Sequence, residues 1–95
     1  MIYISGKISG EDLQESRAKF KEAEDQLKKE GHSTVNPMEM IEVEEHKTWE
    51  DYMREAIYLQ MACAEIFMLK DWADSRGAKI EHSLAKTLKY KIRYQ

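Results

Sequence analysis

The sequence predicts a small α/β domain on a parallel sheet, a three-layer sandwich of about four strands and three helices. Short apolar runs of strand length, at residues 1–5 and 64–69, alternate with long stretches whose apolar residues recur at helical spacing. The first run is continuously apolar as far as Ser5 and does not alternate, which suits a strand covered on both faces. The resulting order, β-α-β-α-β-α-β, asks for parallel strands joined by right-handed helical crossovers. A length of 95 residues allows a single domain over 1–95.

The elements follow in order. Met1-Ile2-Tyr3-Ile4-Ser5, closed by Gly6, is the first strand. Ser9-Gly10-Glu11-Asp12 has the form of a helix start, with Ser9 as cap and acids at the positive helix end. Leu13, Phe20 and Leu27, with Ala23 between, share one face of a helix over 11–30, and Lys28, Lys29 and Gly31 end it. Ser33-Thr34-Val35-Asn36 is a weak strand that Pro37 terminates, and the Met- and Glu-rich stretch 38–47 reads as a long loop. Thr48-Trp49-Glu50-Asp51 is a capping box that opens a second helix to about residue 62. That helix carries two apolar stripes, Met53-Ile57-Met61 and Tyr52-Ala56-Leu59-Cys63, a surface broad enough to contact a second subunit. After the third strand at 64–69 and a polar loop at 70–75, a third helix over 76–89 brings Ile80, Leu84 and Leu88 to one side. Lys91-Ile92-Arg93-Tyr94 closes the sheet.

Composition excludes several classes of function. Hydrophobic residues at 42% and charged residues at 35% describe an ordinary folded chain, and one proline with four glycines excludes a disordered or collagen-like one. Fifteen basic against eighteen acidic residues leave a net charge of −3, so no nucleic-acid polymer is expected as a partner. No apolar run approaches the roughly 20 residues of a membrane span, and MIYISGKISG lacks the form of a signal peptide. No membrane partner is expected, and the chain reads as cytoplasmic. The lone Cys63 permits neither an internal disulfide nor a Cys-based zinc site. His32, His46 and His82 have no metal-ligand spacing, so no metal is expected. A domain of this size buries only about 60–65% of its unfolded surface. Its core is therefore thin, and a homo-oligomer is expected.

In open parallel sheets ligands collect outside the carboxyl ends of the strands. That rule selects the loops at 5–9, 36–38 and 70–75 and the start of the third helix. Candidate substrate-binding residues there are Ser5, Gly6, Lys7, Asn36, Trp72, Ser75 and Gly77. Small residues in Ser5-Gly6-Lys7-Ile8-Ser9-Gly10 let backbone amides approach an anion, and Lys7 adds charge. Turn chemistry alone also explains them. Ser75 caps the third helix, and Gly77 allows a ligand close approach. Glu81 lies in the second turn, either as an exposed helix glutamate or, if Ile80 and Leu84 face the core, as a nucleophile or base on the ligand side.

Four segments together resemble a known group. Ile2-Tyr3-Ile4-Ser5-Gly6, Val35-Asn36-Pro37, Trp49-Glu50-Asp51-Tyr52-Met53-Arg54 and Ser75-Arg76-Gly77-Ala78-Lys79-Ile80-Glu81-His82 are similar to the small phage- and bacterium-type domains related to nucleoside 2-deoxyribosyltransferases. The wider superfamily also includes 2'-deoxynucleoside 5'-phosphate N-hydrolases. The resemblance spans nearly the whole chain, and Ser-x-Gly-Ala-x-x-Glu-His is its most specific part. It implies a flavodoxin-like or Rossmann-like fold, no cofactor, a deoxynucleoside or deoxynucleotide as ligand, and a site completed by a neighbouring subunit. By motif match, Glu81 is the nucleophile that attacks C1' of the sugar, Tyr3 is the catalytic tyrosine beside it, and Ser5, Gly6 and Ser75 meet the 5'-phosphate.

The chain also departs from that group. Ala56 stands where the superfamily usually has an aspartate that handles a proton on the departing base, and Cys63-Ala64 stands in place of Cys-Asp. Glu55 and Glu65 are each one residue away, a step that turns a helical side chain by about 100°. Lys7 and Lys70 occupy places that are often proline. Two functions follow: cleavage or transfer of the N-glycosidic bond through Glu81, or nucleotide binding without turnover, as in a sensor or accessory protein.

Overall fold

A computed structural model describes residues 1–95. The elements are β1 (Ile2–Ser5), α1 (Leu13–Lys29), β2 (Thr34–Val35), α2 (Pro37–Met40), α3 (Trp49–Met61), β3 (Glu65–Met68), α4 (Arg76–Thr87) and β4 (Lys91–Tyr94). One 3-10 turn, Trp72–Asp74, lies between β3 and α4. The four strands form one sheet in the order β2-β1-β3-β4, and every pairing is parallel. This is the flavodoxin-like order without a fifth strand, with its topological switch between β1 and β3. No helix is long and apolar enough to cross a membrane.

Alternation along β1 divides the core into two layers. Ile2 and Ile4 pack with Phe20, Ala23 and Leu27 of α1 and with Leu69. Tyr3 points to the opposite face and packs with Ile66, Met68, Cys63, Ala78 and Ala85, beneath α3 and α4. The sheet is thus covered on both faces, as continuously apolar strands require.

Three features of the helices differ from the sequence expectation. First, α1 begins after Asp12, whose carboxylate accepts from the Glu15 N–H at 3.0 Å, and not at Ser9. Gly10 has φ of +80°, so residues 9–10 form a turn that no helix can include. Second, the stretch after β2 holds a fourth helix, the single turn α2. Asn36 caps it and Pro37 supplies a preset first position. Third, the buried face of α4 is Ala78, Glu81 and Ala85, while Leu88 is exposed and Ile80 and Leu84 are half-buried. Small side chains at 78 and 85 let the helix lie close to the sheet, and a larger residue there would hold it away. The capping box of α3 has both of its bonds, Asp51 N–H to Thr48 Oγ1 at 3.1 Å and Thr48 N–H to Asp51 Oδ2 at 2.9 Å. Outside the core, Tyr58 and Met61 of α3 and Leu88 of α4 leave apolar surface exposed.

Gly6 ends β1 against the fully buried Leu69. A Cβ at Gly6 would stand 2.5 Å from Leu69 Cδ1 and 2.9 Å from its Cβ and Cγ. No rotamer of Leu69 relieves a clash with its own Cβ. Gly6→Ala is therefore expected to cost about 1–3 kcal/mol by overpacking. Urea unfolding measures this, and an unchanged midpoint would contradict it.

Candidate functional site

A cavity of about 280 Å³ opens at the carboxyl end of β1, a strand at the switch point of the sheet. Ser5 and Gly6 form part of its floor, Ser75 and Gly77 bring in the start of α4, and Trp49, Tyr52, Met53 and Ala56 of α3 form a wall. Met38, Ile41 and Val43, from α2 and the segment after it, line the remaining side.

Glu81 is the chemical centre of this cavity. Its side chain is directed at the sheet and is only 5% exposed. Tyr3 Oη donates to Glu81 Oε2 at 2.6 Å, and Ser5 Oγ donates to Oε1 at 2.7 Å. Tyr3 and Ser5 are two residues apart on β1, so both point to the same face and grip one carboxyl group between them. Burial pushes the Glu81 carboxyl up to about 7, although the two donors favour its charged form and pull the other way. Burial, and then the neighbouring Glu81 charge, hold the Tyr3 hydroxyl well above its ordinary value. Tyr3 therefore stays protonated and remains a donor at neutral pH.

The backbone of Glu81 is tied as firmly as its side chain. Gln60, fully buried on α3, donates from Nε2 to the Glu81 carbonyl at 2.9 Å. The Gln60 carbonyl in turn accepts from Tyr90 Oη at 2.7 Å. Neither Gln60 nor Tyr90 stands out in the motif reading. The usable signal is spacing: Gln60 lies four residues after Ala56, on the helical stripe that turns inward.

A polar clamp braces the loop at the cavity floor. Lys19 of α1 donates to the Lys7 carbonyl at 2.8 Å and pairs with Glu11 at 3.1 Å and with Asp71. Asp71 accepts from the Lys7 N–H at 3.0 Å. The clamp joins the loop after β1 to the loop after β3, and so holds Ser5 and Gly6 between them.

Of the sequence candidates, Tyr3, Ser5, Gly6, Ser75, Gly77 and Glu81 line the one cavity, whereas Lys7, Asn36 and Trp72 lie outside its lining. Lys7 enters the clamp through its backbone. Asn36 is buried under α2, where its Oδ1 accepts from the Met38 N–H at 3.0 Å. Trp72 stacks on His82 with ring centroids 4.1 Å apart, and His82 Nε2 is 2.7 Å from Tyr94 Oη. Ala56 faces the cavity, and Glu55 beside it points outward to Lys47, with Oε2 2.9 Å from Nζ. No three His, Cys, Asp or Glu side chains gather as a metal ion would need.

The family model described as "Domain of unknown function (DUF4406)" matches residues 1–94. No curated protein and no solved structure matches the chain.

The raised pKa of Glu81 has a consequence for stability. Its folded value of about 7 lies above the ordinary 4.5, so burial favours the protonated form. The stability this lends is complete below 4.5 and is lost as pH rises through about 7. Glu81→Gln has no proton to lose. Relative to the parent it should gain stability from pH 5 to 8, by at most about 3 kcal/mol. Urea unfolding at several pH values measures the difference, and a constant offset would contradict it.

Proposed function

We propose that this chain, which belongs to the DUF4406 family, cleaves or transfers the N-glycosidic bond of 2'-deoxynucleosides or their 5'-monophosphates with Glu81 as the nucleophile. The observation that carries this reading is the carboxyl group gripped by Tyr3 and Ser5 at the floor of the cavity. A buried carboxylate with fixed orientation beside an open cavity is what attack on a sugar carbon needs.

The cavity supports the substrate class. About 280 Å³ is close to the lower end of small-molecule sites, roughly 300–1,000 Å³, and suits one nucleoside better than a polymer. The wall of Trp49, Tyr52 and Met53 offers a planar base an aromatic and apolar surface. On the other side, Ser75 and the first turn of α4 offer polar groups and the positive end of a helix, a suitable seat for a 5'-phosphate.

The reaction runs in two displacements. Ionised Glu81 attacks C1', the bond to the base breaks through an oxocarbenium-like state, and a glycosyl ester forms. Water or a second base then attacks C1' and frees the carboxylate. Tyr3 and Ser5 keep the carboxylate oriented for the first step and hydrogen-bond the returning charge in the second. A second reading, nucleotide binding without turnover, is favoured by one observation: Ala56 puts a methyl group where a proton donor to the base would be useful.

Incubation with a panel of 2'-deoxynucleosides and 5'-monophosphates, carrying natural and ring-alkylated bases, separates the two. Base release is expected, rising with pH through about 7 as Glu81 ionises, and Glu81→Ala should reduce it to the uncatalysed rate. Saturable binding with no release from any substrate would favour the second reading, and absence of both would reject each.

A further inference from the structure

The cavity supplies a nucleophile without an acid. Among its 20 lining residues Glu81 is the single carboxyl group, and no His, Lys, Arg or Cys is present. The hydroxyls nearest the carboxyl are engaged, since Tyr3 and Ser5 both donate to Glu81. On the wall, Tyr52 Oη donates to the Glu44 carbonyl and accepts from the Glu44 N–H, each at 3.0 Å. The nearby carboxylates are turned away as well. Glu55 pairs with Lys47, Asp51 caps α3 and pairs with Arg54, and Asp71 belongs to the clamp with Lys19. Serine hydroxyls, at Ser9 and Ser75, are far too weak as acids near neutral pH.

This matters because of how a base leaves. A neutral base departs from C1' as an anion unless a proton reaches its ring, and such proton delivery is typically worth 10²–10⁴-fold in rate. A purine alkylated at ring position 7 already carries a positive charge and departs as a neutral molecule. We infer that the site takes 2'-deoxynucleosides whose base leaves without a proton, with 7-alkylated purines as the substrate class. This rests on the reading of Glu81 as nucleophile.

The chemistry balances without a further reactant. The Glu81 carboxylate forms a bond to C1' while the bond from C1' to the base breaks. The electron pair of that bond stays on the glycosidic nitrogen and cancels the ring's positive charge. Water then adds to C1', the ester bond breaks with its electron pair returning to Glu81, and the water's extra proton passes to solvent. The products are neutral 7-alkylpurine, the free sugar and one proton. The wall at Trp49 and Tyr52 offers the purine ring an aromatic and apolar contact surface, but it does not select for its charge, since the Arg76 guanidinium already lies 4.1 Å from the Trp49 ring and Lys47 Nζ 5.3 Å from that of Tyr52.

The test compares 7-methyl-2'-deoxyguanosine with 2'-deoxyguanosine, and likewise their 5'-monophosphates, each corrected for its uncatalysed base release. The expected kcat/KM for 7-methylguanine release exceeds that for guanine by about 10²-fold or more. Release of 7-methylguanine should be absent in Glu81→Gln, with circular dichroism confirming that the variant is folded. Guanine released at a comparable kcat/KM would overturn the inference while leaving Glu81 chemistry standing, and release that increases on acidification would overturn both. No release from either substrate would overturn the glycosidic reading and the inference with it.

Discussion

A carboxyl group placed against the middle of a sheet is costly unless donors meet both of its oxygens. Here Tyr3 and Ser5 do so, and much of the architecture follows from that requirement. Both donors must project from one face of one strand, which leaves Ile2 and Ile4 to fill the opposite face against α1. The helix that carries Glu81 must lie close to that strand, which explains Ala78 and Ala85 on its inner side. A helix so close to the sheet needs its own fixing, and Gln60 provides it by bonding the Glu81 carbonyl from α3. The donors hold the group but do not overcome its burial, so it titrates near neutrality and not in the acid range.

The opening above Glu81 is a product of topology. The crevice lies at the carboxyl end of β1, between α2 with the segment after it on one side and α3 with the start of α4 on the other. The clamp of Lys19, Glu11 and Asp71 ties the loop after β1 to the loop after β3 beside it. Burial opposes the charge of Lys19, and the hydrogen bonds and charges of Asp71 and Glu11 outweigh it, so its pKa is raised and it stays cationic. The crevice therefore has a rigid floor and an apolar wall, with one reactive group between them. Such a site favours substrates that bring their own reactivity.

Much of the fold was legible in the chain because its signals are local. The Thr48–Asp51 capping box, the Ser75 cap and the apolar strand runs each depend on a few neighbouring residues, and each appears where the spacing puts it. The inner face of α4 was not legible in this way. Ile80, Leu84 and Leu88 outweigh Ala78 and Ala85 in hydrophobicity, yet close approach to the sheet favours the alanines. The same limit applies to the site. Glu81, Tyr3 and Ser5 could be singled out, but Lys7, Asn36 and Trp72 share their loops and face elsewhere, because the direction of a loop side chain is set by contacts distant in sequence. Gln60 and Tyr90 were missed for a related reason: their role is to hold the Glu81 backbone, and a backbone contact leaves no motif.

The central claim is that Glu81 forms a bond to the sugar, and peptide mass spectrometry addresses it directly. A 2'-fluoro-2'-deoxynucleoside slows both displacements by destabilising positive charge at C1', so a sugar ester can accumulate. After incubation with such a substrate and rapid acid quench, the peptide containing Glu81 is expected to gain the mass of the fluorinated sugar, with the modification on Glu81. Base release with no adduct, or an adduct on any other residue, would contradict the account.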